Sequence, residues 1–130
     1  MMNQKKFWLI VGAIGAGLAV SAGAYGAHML DGRVLDSIYK TFKKAVRYQM
    51  YHSLALLIVG ILSSQSPKRA LDIAGWFFLG GIIIFSGSLY LIVFTGIQWI
   101  EWITPIGGFA FVFGWISIVY SSLKSKTVKT

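Results

Sequence analysis

Four long stretches without a charged side chain make up most of this chain, and they determine the solvent in which it folds. They cover residues 7–27, 48–67, 73–100 and 102–123. A helix needs about 20 apolar residues to cross a bilayer core of ~30 Å. Charged residues make up 12% of the chain, whereas soluble domains carry about 25%. The sequence therefore predicts a small multi-pass membrane protein.

These stretches predict an all-α fold, a four-helix transmembrane bundle that forms one integral membrane domain over residues 1–130. We place the spans at approximately 7–28, 46–64, 72–95 and 103–123. No connection between these spans is long enough to bury a core of its own.

The segment between the first two spans has a different pattern. Asp36, Lys40, Lys43 and Arg47 recur at steps of four, three and four residues, and apolar residues such as Phe42 occupy the opposite side. This spacing is typical of an amphipathic helix. We expect a helix that lies in the membrane interface and then bends or continues into span 2. A solvated extension of that span is the alternative.

Small residues indicate where helices approach each other closely. In span 1 they recur four residues apart, as at Gly12/Ala16 and Ala19/Gly23, and this spacing lets helix backbones come near one another in lipid. We favour packing within the same chain over packing against a second copy. The residues predicted to lie at helix contacts are Gly12, Gly15, Gly23, Gly80, Gly87 and Gly108.

The distribution of basic residues predicts the orientation. With four spans, both termini and the loop at Lys68 share one side, which holds seven of the 12 basic residues. The other side holds five, all between Arg33 and Arg47. The positive-inside rule then places both termini in the cytoplasm. We also expect interfacial aromatic belts, with Trp8, Trp76 and Tyr120 on the inner side.

Polar side chains from all four spans are predicted to meet in the outer leaflet. We consider three interpretations: hydrogen bonds that hold the helices together, a pocket for a small molecule or lipid head group, and a metal or haem site at the two histidines. The residues of this candidate pocket are His28, Gln49, His52, Ser86, Ser88, Tyr90 and Thr104.

Several classes of function lack support in the sequence. The net charge of +8 comes from basic residues that flank the spans, so we expect contact with membrane lipids and no nucleic-acid binding. A serine nucleophile with His52 as base can be drawn from Ser86 or Ser88, but any polar bundle would allow this. We therefore predict no enzyme activity, no catalytic residues, no metal site and no cofactor.

Several short motifs, in this order, resemble those of one known family. They are GAYGAH at residues 23–28, YQMYHSLALL at residues 48–57, FSGSLY at residues 85–90 and TPIGG at residues 104–108. Together they resemble the YgdD/YwdK-like family of small bacterial membrane proteins, a domain of unknown function. Met29 stands where we would expect glycine. The resemblance implies a four-helix plasma-membrane protein and implies no activity.

From these observations we expect a non-enzymatic protein of the bacterial plasma membrane. It would bind a lipid, a small molecule or a partner protein near the outer leaflet. One alternative is a subunit of an oligomeric transporter or channel, for which a homo-oligomer or a membrane-protein partner is needed. A second alternative is a haem or redox protein that uses His28 and His52.

Overall fold

The computed structural model describes residues 3–124, and within them the chain is helical with no strand. Two segments of π-helix, Gly26–Leu30 and Ile82–Ser86, continue their neighbours without a break, and the last helix follows a 3₁₀ turn, Gln98–Trp102. The α-helices are α1 (Gln4–Tyr25), α2 (Asp36–Gln65), α3 (Arg69–Gly81), α4 (Gly87–Thr95) and α5 (Thr104–Leu123).

Four of the resulting helical segments are long and apolar enough to cross a membrane. We call them span 1 (Gln4–Leu30), span 2 (Asp36–Gln65), span 3 (Arg69–Thr95) and span 4 (Gln98–Leu123). The predicted fold class, an all-α protein with four candidate membrane-spanning helices, is confirmed. Lys126 and Lys129, two of the seven basic residues counted on the side of the termini, lie outside the described residues.

Local sequence explains where these helices begin and end. The side-chain Oδ1 of Asn3 accepts a hydrogen bond of 2.9 Å from the backbone N–H of Lys6, and it thereby caps the start of α1. Gly96 ends α4 in the left-handed region with a φ of 73°, a conformation that glycine adopts without steric cost. Pro105 lies in the first turn of α5, where its missing N–H removes no helical hydrogen bond.

The amphipathic segment between the first two spans is continuous with span 2. It forms the first three turns of α2, and no residue interrupts the helix between Asp36 and Gln65. Phe42 and Ala45 are buried on one side, whereas Lys40 and Lys43 are exposed on the other. The amphipathic pattern therefore corresponds to the first part of span 2, a helix that contacts the bundle along one face and continues directly into the apolar part of the span.

Span 2 is the central helix of the bundle. It packs along span 1 on one side and against span 3 on another, while α5 packs along α3. The main apolar core lies where all four spans meet in the half nearer the chain termini. Its buried residues are Trp8, Ala55, Leu56, Val59, Leu71, Ala74, Phe78 and Phe111. Large apolar side chains such as Ile14, Ile83 and Phe109 point outward and are more than half exposed, as expected for a surface that faces lipid.

The glycines at the close helix contacts are only partly those predicted. A side chain added at Gly12 would lie 2.8 Å from the backbone oxygen of Ser53, and one at Gly15 would collide with the Ser53 hydroxyl. Gly23 and Gly108 make ordinary contacts at 3.6 and 3.9 Å, and Gly80 and Gly87 have no neighbour within 4 Å. The tight positions in spans 3 and 4 are Gly75, Gly81, Gly107 and Gly114.

Adjacent glycines differ in how closely a neighbouring helix approaches them, because they point in different directions around the helix axis. One residue turns a helix by about 100°, so Gly81 faces the ring of Phe111 although Gly80 faces no neighbouring residue. Gly107 in the same way meets the backbone of Phe85, and Gly108 does not approach it. The sequence shows where small residues are concentrated. Only the position of the neighbouring helix determines which glycine of each adjacent pair has no room for a side chain.

Trp8, predicted for the inner aromatic belt, packs in the interior of the bundle. Its side chain is fully buried, and its indole Nε1–H donates a hydrogen bond of 3.2 Å to Oδ1 of Asp72. The ring also lies edge-on to Trp76, with centroids 5.0 Å apart. Trp76 and Tyr120 are both more than half exposed, so the three aromatic residues predicted for the inner belt comprise one core residue and two surface residues.

Candidate functional site

Gln49 joins three spans through its side-chain amide. Its Nε2 donates to the backbone oxygen of Gly15 in span 1 at 2.9 Å. Its Oε1 accepts a hydrogen bond of 2.7 Å from the hydroxyl of Tyr90 in span 3. Gln49 is only 8% exposed, so both ends of its amide are satisfied inside the protein, as a polar group without access to water requires.

Two serines of span 3 make further contacts between helices. Ser86, at the end of the π-helical segment, donates to the backbone oxygen of Ala45 at 2.7 Å. The Ser88 hydroxyl lies 2.6 Å from Oγ1 of Thr104 and also donates to the backbone oxygen of Phe85 at 2.8 Å. Span 3 is thus linked to span 2 by Ser86 and to span 4 by Ser88.

His52 uses both of its ring nitrogens. The indole Nε1–H of Trp115 donates to Nε2 of His52 at 3.1 Å. Because Nε2 accepts, the proton of a neutral imidazole lies on Nδ1, which is 2.9 Å from the backbone oxygen of Tyr48 and donates to it. The ring is stacked on Phe111 with centroids 3.5 Å apart and planes 7° apart. The imidazole is therefore held in one tautomer and one orientation.

The structure separates His28 from the other predicted residues. His28 is exposed in the π-helical segment that ends span 1, whereas Gly15 of the same helix lies against Ser53, the neighbour of His52. Thirteen residues of helix between Gly15 and His28 correspond to about 20 Å. The two histidines therefore share no site. The other six predicted residues all make hydrogen bonds in the interior or along its edge.

The depth predicted for His52 also requires correction. Placing the start of span 2 at residue 46 put His52 near the outer end of the helix. The helix begins at Asp36, and His52 contacts Phe78 and Trp115, which lie in the middle or inner part of their own spans. The polar residues therefore follow the bundle axis from Thr104 to mid-bundle instead of forming one cluster at the outer end.

The contacts favour none of the reactive groupings drawn from the sequence. The hydroxyls of Ser86 and Ser88 are bonded to groups other than His52. Both nitrogens of His52 are already engaged, which leaves no lone pair directed at a metal ion. Within residues 3–124, no three side chains of the His, Cys, Asp or Glu type come together as a metal-binding group.

Sequence reasoning missed three polar contacts. Trp115 supports His52, and a signal for it was present: a Trp in the middle of a span has an N–H that needs a partner when it is withdrawn from water. The other two lie at the end of the bundle nearer the termini, where Trp8 binds Asp72 and Nζ of Lys68 donates to the backbone oxygen of Ser121 at 2.9 Å. These two depend on which helices pack together, so spacing did not indicate them.

A groove opens beside the Ser88–Thr104 contact, at the end of the bundle away from α1's first turn, which is the outer end in the predicted orientation. It has a volume of about 330 Å³ and lies between span 2, span 3 and the 3₁₀ turn before α5. Thr41, Lys44, Gln98, Glu101 and Thr104 form its polar lining, and Phe85, Leu89, Ile92 and Pro105 form its apolar lining. We call this the outer groove. A smaller depression of about 170 Å³ adjoins it and shares Thr41, Ile92 and Gln98 with it.

A second cavity lies at the opposite end of the bundle. It has a volume of about 270 Å³ and is lined by residues from the starts of α1 and α3 and from the end of α2. Lys5, Lys68 and Asp72 carry its charges, and Lys68 and Asp72 are already bonded within the protein. The buried apolar core separates this cavity from His52, so the described residues form no polar path from one end to the other.

These features define a class of protein: a four-span, all-α membrane protein whose helices are joined by hydrogen bonds in the interior. The family described as "Protein of unknown function (DUF423)" matches residues 22–108. A UPF0382 membrane protein of Staphylococcus aureus is 46% identical over 119 residues, covering 92% of this chain and 97% of that relative. The UPF0382 membrane protein YwdK of Bacillus subtilis is 43% identical over 120 residues, covering 92% and 98%.

The chain belongs to this UPF0382 family of membrane proteins. The resemblance drawn from the four motifs is thereby confirmed, since YwdK is among the relatives. A UPF0382 membrane protein of Staphylococcus epidermidis, 43% identical over 119 residues, likewise covers 92% of this chain and 97% of its own length. No solved structure matches the chain.

Proposed function

We propose that this protein is a non-enzymatic lipid-binding protein of the bacterial plasma membrane, with both termini in the cytoplasm. The observation that carries the proposal is the outer groove, which combines charged and hydroxyl side chains with an apolar wall. Ligand pockets usually have volumes of about 300–1,000 Å³. A groove of about 330 Å³ accommodates a head group and the adjoining part of one chain, while the rest of the lipid stays in the bilayer.

The apolar wall has the right direction and length for an acyl chain. Phe85, Leu89 and Ile92 lie four and three residues apart, which places them on one face of span 3. The ten residues between Phe85 and Thr95, the end of that span, correspond to about 15 Å of helix. Half of a bilayer core is also ~15 Å thick. A chain that enters beside the polar lining at Gln98 could therefore follow this wall into the leaflet.

The interior hydrogen bonds support this function by holding the groove in shape. Thr104 lines the groove and is fixed by Ser88, and Phe85 lies in the π-helical segment whose last residue, Ser86, is bonded to span 2. We infer that Gln49, His52, Ser86 and Tyr90 hold the helices together and do not touch the ligand. This division assigns binding to the groove and stability to the interior residues.

The two alternatives have less support. A transporter or channel subunit would need a second copy to form a path, because the apolar core fills the inner half of this bundle. A haem or redox function would need a histidine with a free ring nitrogen at an enclosed site, but both nitrogens of His52 are engaged and His28 lies apart from it. Neither alternative makes use of the outer groove.

The test is the lipid that stays with the purified protein. We expect native mass spectrometry from a mild detergent to find wild-type protein carrying one retained phospholipid. Ile92→Trp fills the groove and should reduce that retention several-fold. Leu91→Trp is the matched control, since Leu91 is the neighbouring residue, is 54% exposed and does not line the groove. Equal retention in all three proteins, or none in wild type, would contradict the proposal.

A further inference from the structure

The charges of the outer groove point to one class of lipid. Two charged side chains line it, Lys44 from span 2 and Glu101 from the 3₁₀ turn before α5, and its other polar residues are neutral. Both charged side chains are exposed at the same end of the bundle. The groove therefore carries one positive and one negative group with a formal sum of zero.

We propose that the outer groove selects a phospholipid whose head group carries both a phosphate and a terminal ammonium group, as in phosphatidylethanolamine. This inference rests on the lipid-binding function proposed above and names its ligand. The ammonium of Lys44 would pair with the phosphate, and the carboxylate of Glu101 would pair with the ammonium of the head group. Thr41 and Gln98 offer neutral hydrogen-bonding groups beside them.

An anionic phospholipid fits this lining less well. The phosphate of phosphatidylglycerol could pair with Lys44, but its glycerol end offers no charge to Glu101. Glu101 is the one acidic residue in the connection between residues 96 and 103, and near the membrane surface it would repel a lipid whose only charge is negative. A site for anionic lipid alone would be expected to combine Lys44 with further basic residues.

The other basic residues near the outer end do not line the groove. Lys40, Lys43 and Arg47 are exposed on the same helix, and the ammonium of Lys43 lies 4.6 Å from the centre of the Tyr39 ring. These residues can attract anionic lipid to the surface without entering the groove. Lys44 and Glu101 are therefore the pair to test. Lys40 is the matched control for Lys44 and Asp31 for Glu101, since neither control residue lines the groove.

The experiment compares two lipids that share the same acyl chains. Purified full-length protein is exchanged into an equal mixture of phosphatidylethanolamine and phosphatidylglycerol, and native mass spectrometry measures the ratio retained. Exposed charge pairs typically contribute two- to five-fold in an equilibrium. We expect wild type to enrich phosphatidylethanolamine by about that factor. Glu101→Gln should return the ratio to that of the mixture, and Asp31→Asn should leave it enriched.

A second pair of variants tests the phosphate contact. Lys44→Gln should reduce retention of both lipids by about two- to five-fold, whereas Lys40→Gln should change neither. The head-group inference is overturned if wild type shows no preference between the two lipids, or if Glu101→Gln leaves the preference unchanged. The groove remains a lipid site in either case, provided that wild type retains a lipid and Ile92→Trp displaces it. If wild type retains neither lipid, the proposed function itself fails.

Discussion

The indole N–H of Trp115 donates a hydrogen bond of 3.1 Å to Nε2 of His52, across the interface between span 4 and span 2. Trp115 is 42% exposed and His52 only 5%, so the contact joins a residue at the lipid-facing surface to one in the interior. It also fixes the imidazole tautomer, because an accepting Nε2 leaves the proton on Nδ1. A polar residue at mid-bundle is thus satisfied without any ligand.

Replacing His52 with phenylalanine should reduce stability without affecting the groove. The change removes the hydrogen bonds to Trp115 and Tyr48 but allows an aromatic ring to remain stacked on Phe111. We expect the free energy of unfolding in mixed detergent micelles to fall by about 1–2 kcal/mol. Retained lipid should be unchanged. Loss of the lipid from a fully folded His52→Phe protein would show that His52 belongs to the binding site.

A double-mutant cycle isolates the Trp115 contact itself. Trp115→Phe should cost about 0.6–1.7 kcal/mol, from the average to the largest value for hydrogen bonds between membrane helices. Combined with His52→Phe, it should show a coupling energy of about 0.6 kcal/mol. Trp102→Phe is the control, since Trp102 is 78% exposed. Additive effects of the two substitutions would mean that the hydrogen bond contributes nothing.

Two adjacent glycines of α5 should differ sharply when replaced by alanine. At Gly107 a methyl group would lie 2.8 Å from Cα of Phe85 and would also collide with the Phe85 backbone N, neither of which can move without shifting span 3. We expect Gly107→Ala to lower the free energy of unfolding by about 1–3 kcal/mol. Gly108→Ala, whose methyl group would lie 3.9 Å from the Phe85 ring, should be neutral or stabilising by up to about 1 kcal/mol. Equal effects in thermal unfolding would contradict the packing of span 3 against span 4.

Removal of the Tyr90 hydroxyl should leave Gln49 without one of its partners. Tyr90→Phe deletes the donor that lies 2.7 Å from Oε1 of Gln49, a buried acceptor that lipid cannot satisfy. The expected loss is about 0.6–1.7 kcal/mol in the free energy of unfolding. Tyr51→Phe removes a hydroxyl from a side chain that is 53% exposed and should change stability by less than about 0.5 kcal/mol. The comparison fails if both substitutions cost the same.

Orientation can be measured by labelling single cysteines, because the chain contains none. Ser66→Cys lies in the exposed connection between spans 2 and 3, and Thr95→Cys lies at the exposed opposite end of span 3. With both termini in the cytoplasm, a membrane-impermeant maleimide added to intact cells should label Thr95→Cys and leave Ser66→Cys unlabelled until the membrane is opened. Labelling of Ser66→Cys but not of Thr95→Cys in intact cells would overturn the predicted orientation, which rests on seven basic residues on the side of the termini and five on the other.

The sequence alone determined the solvent, the number of spans and their approximate positions. Charge is expensive to bury in a bilayer, so uncharged stretches of about 20 residues can be recognised without any knowledge of their neighbours. The same reasoning selected Gln49, His52, Ser86, Ser88 and Tyr90 as residues that need internal partners, since lipid offers none. It failed for His28, because a residue near the end of a span can remain exposed.

Only the tertiary structure decided which partner each polar or small residue meets. Trp115 with His52, Trp8 with Asp72 and Gly107 with Phe85 are contacts between helices far apart in sequence. Each depends on the rotation of one helix against another, and a change of one residue turns a side chain by about 100°. The outer groove likewise is lined jointly by span 2, span 3 and the turn at Glu101, a property of how the helices are arranged that no single segment encodes.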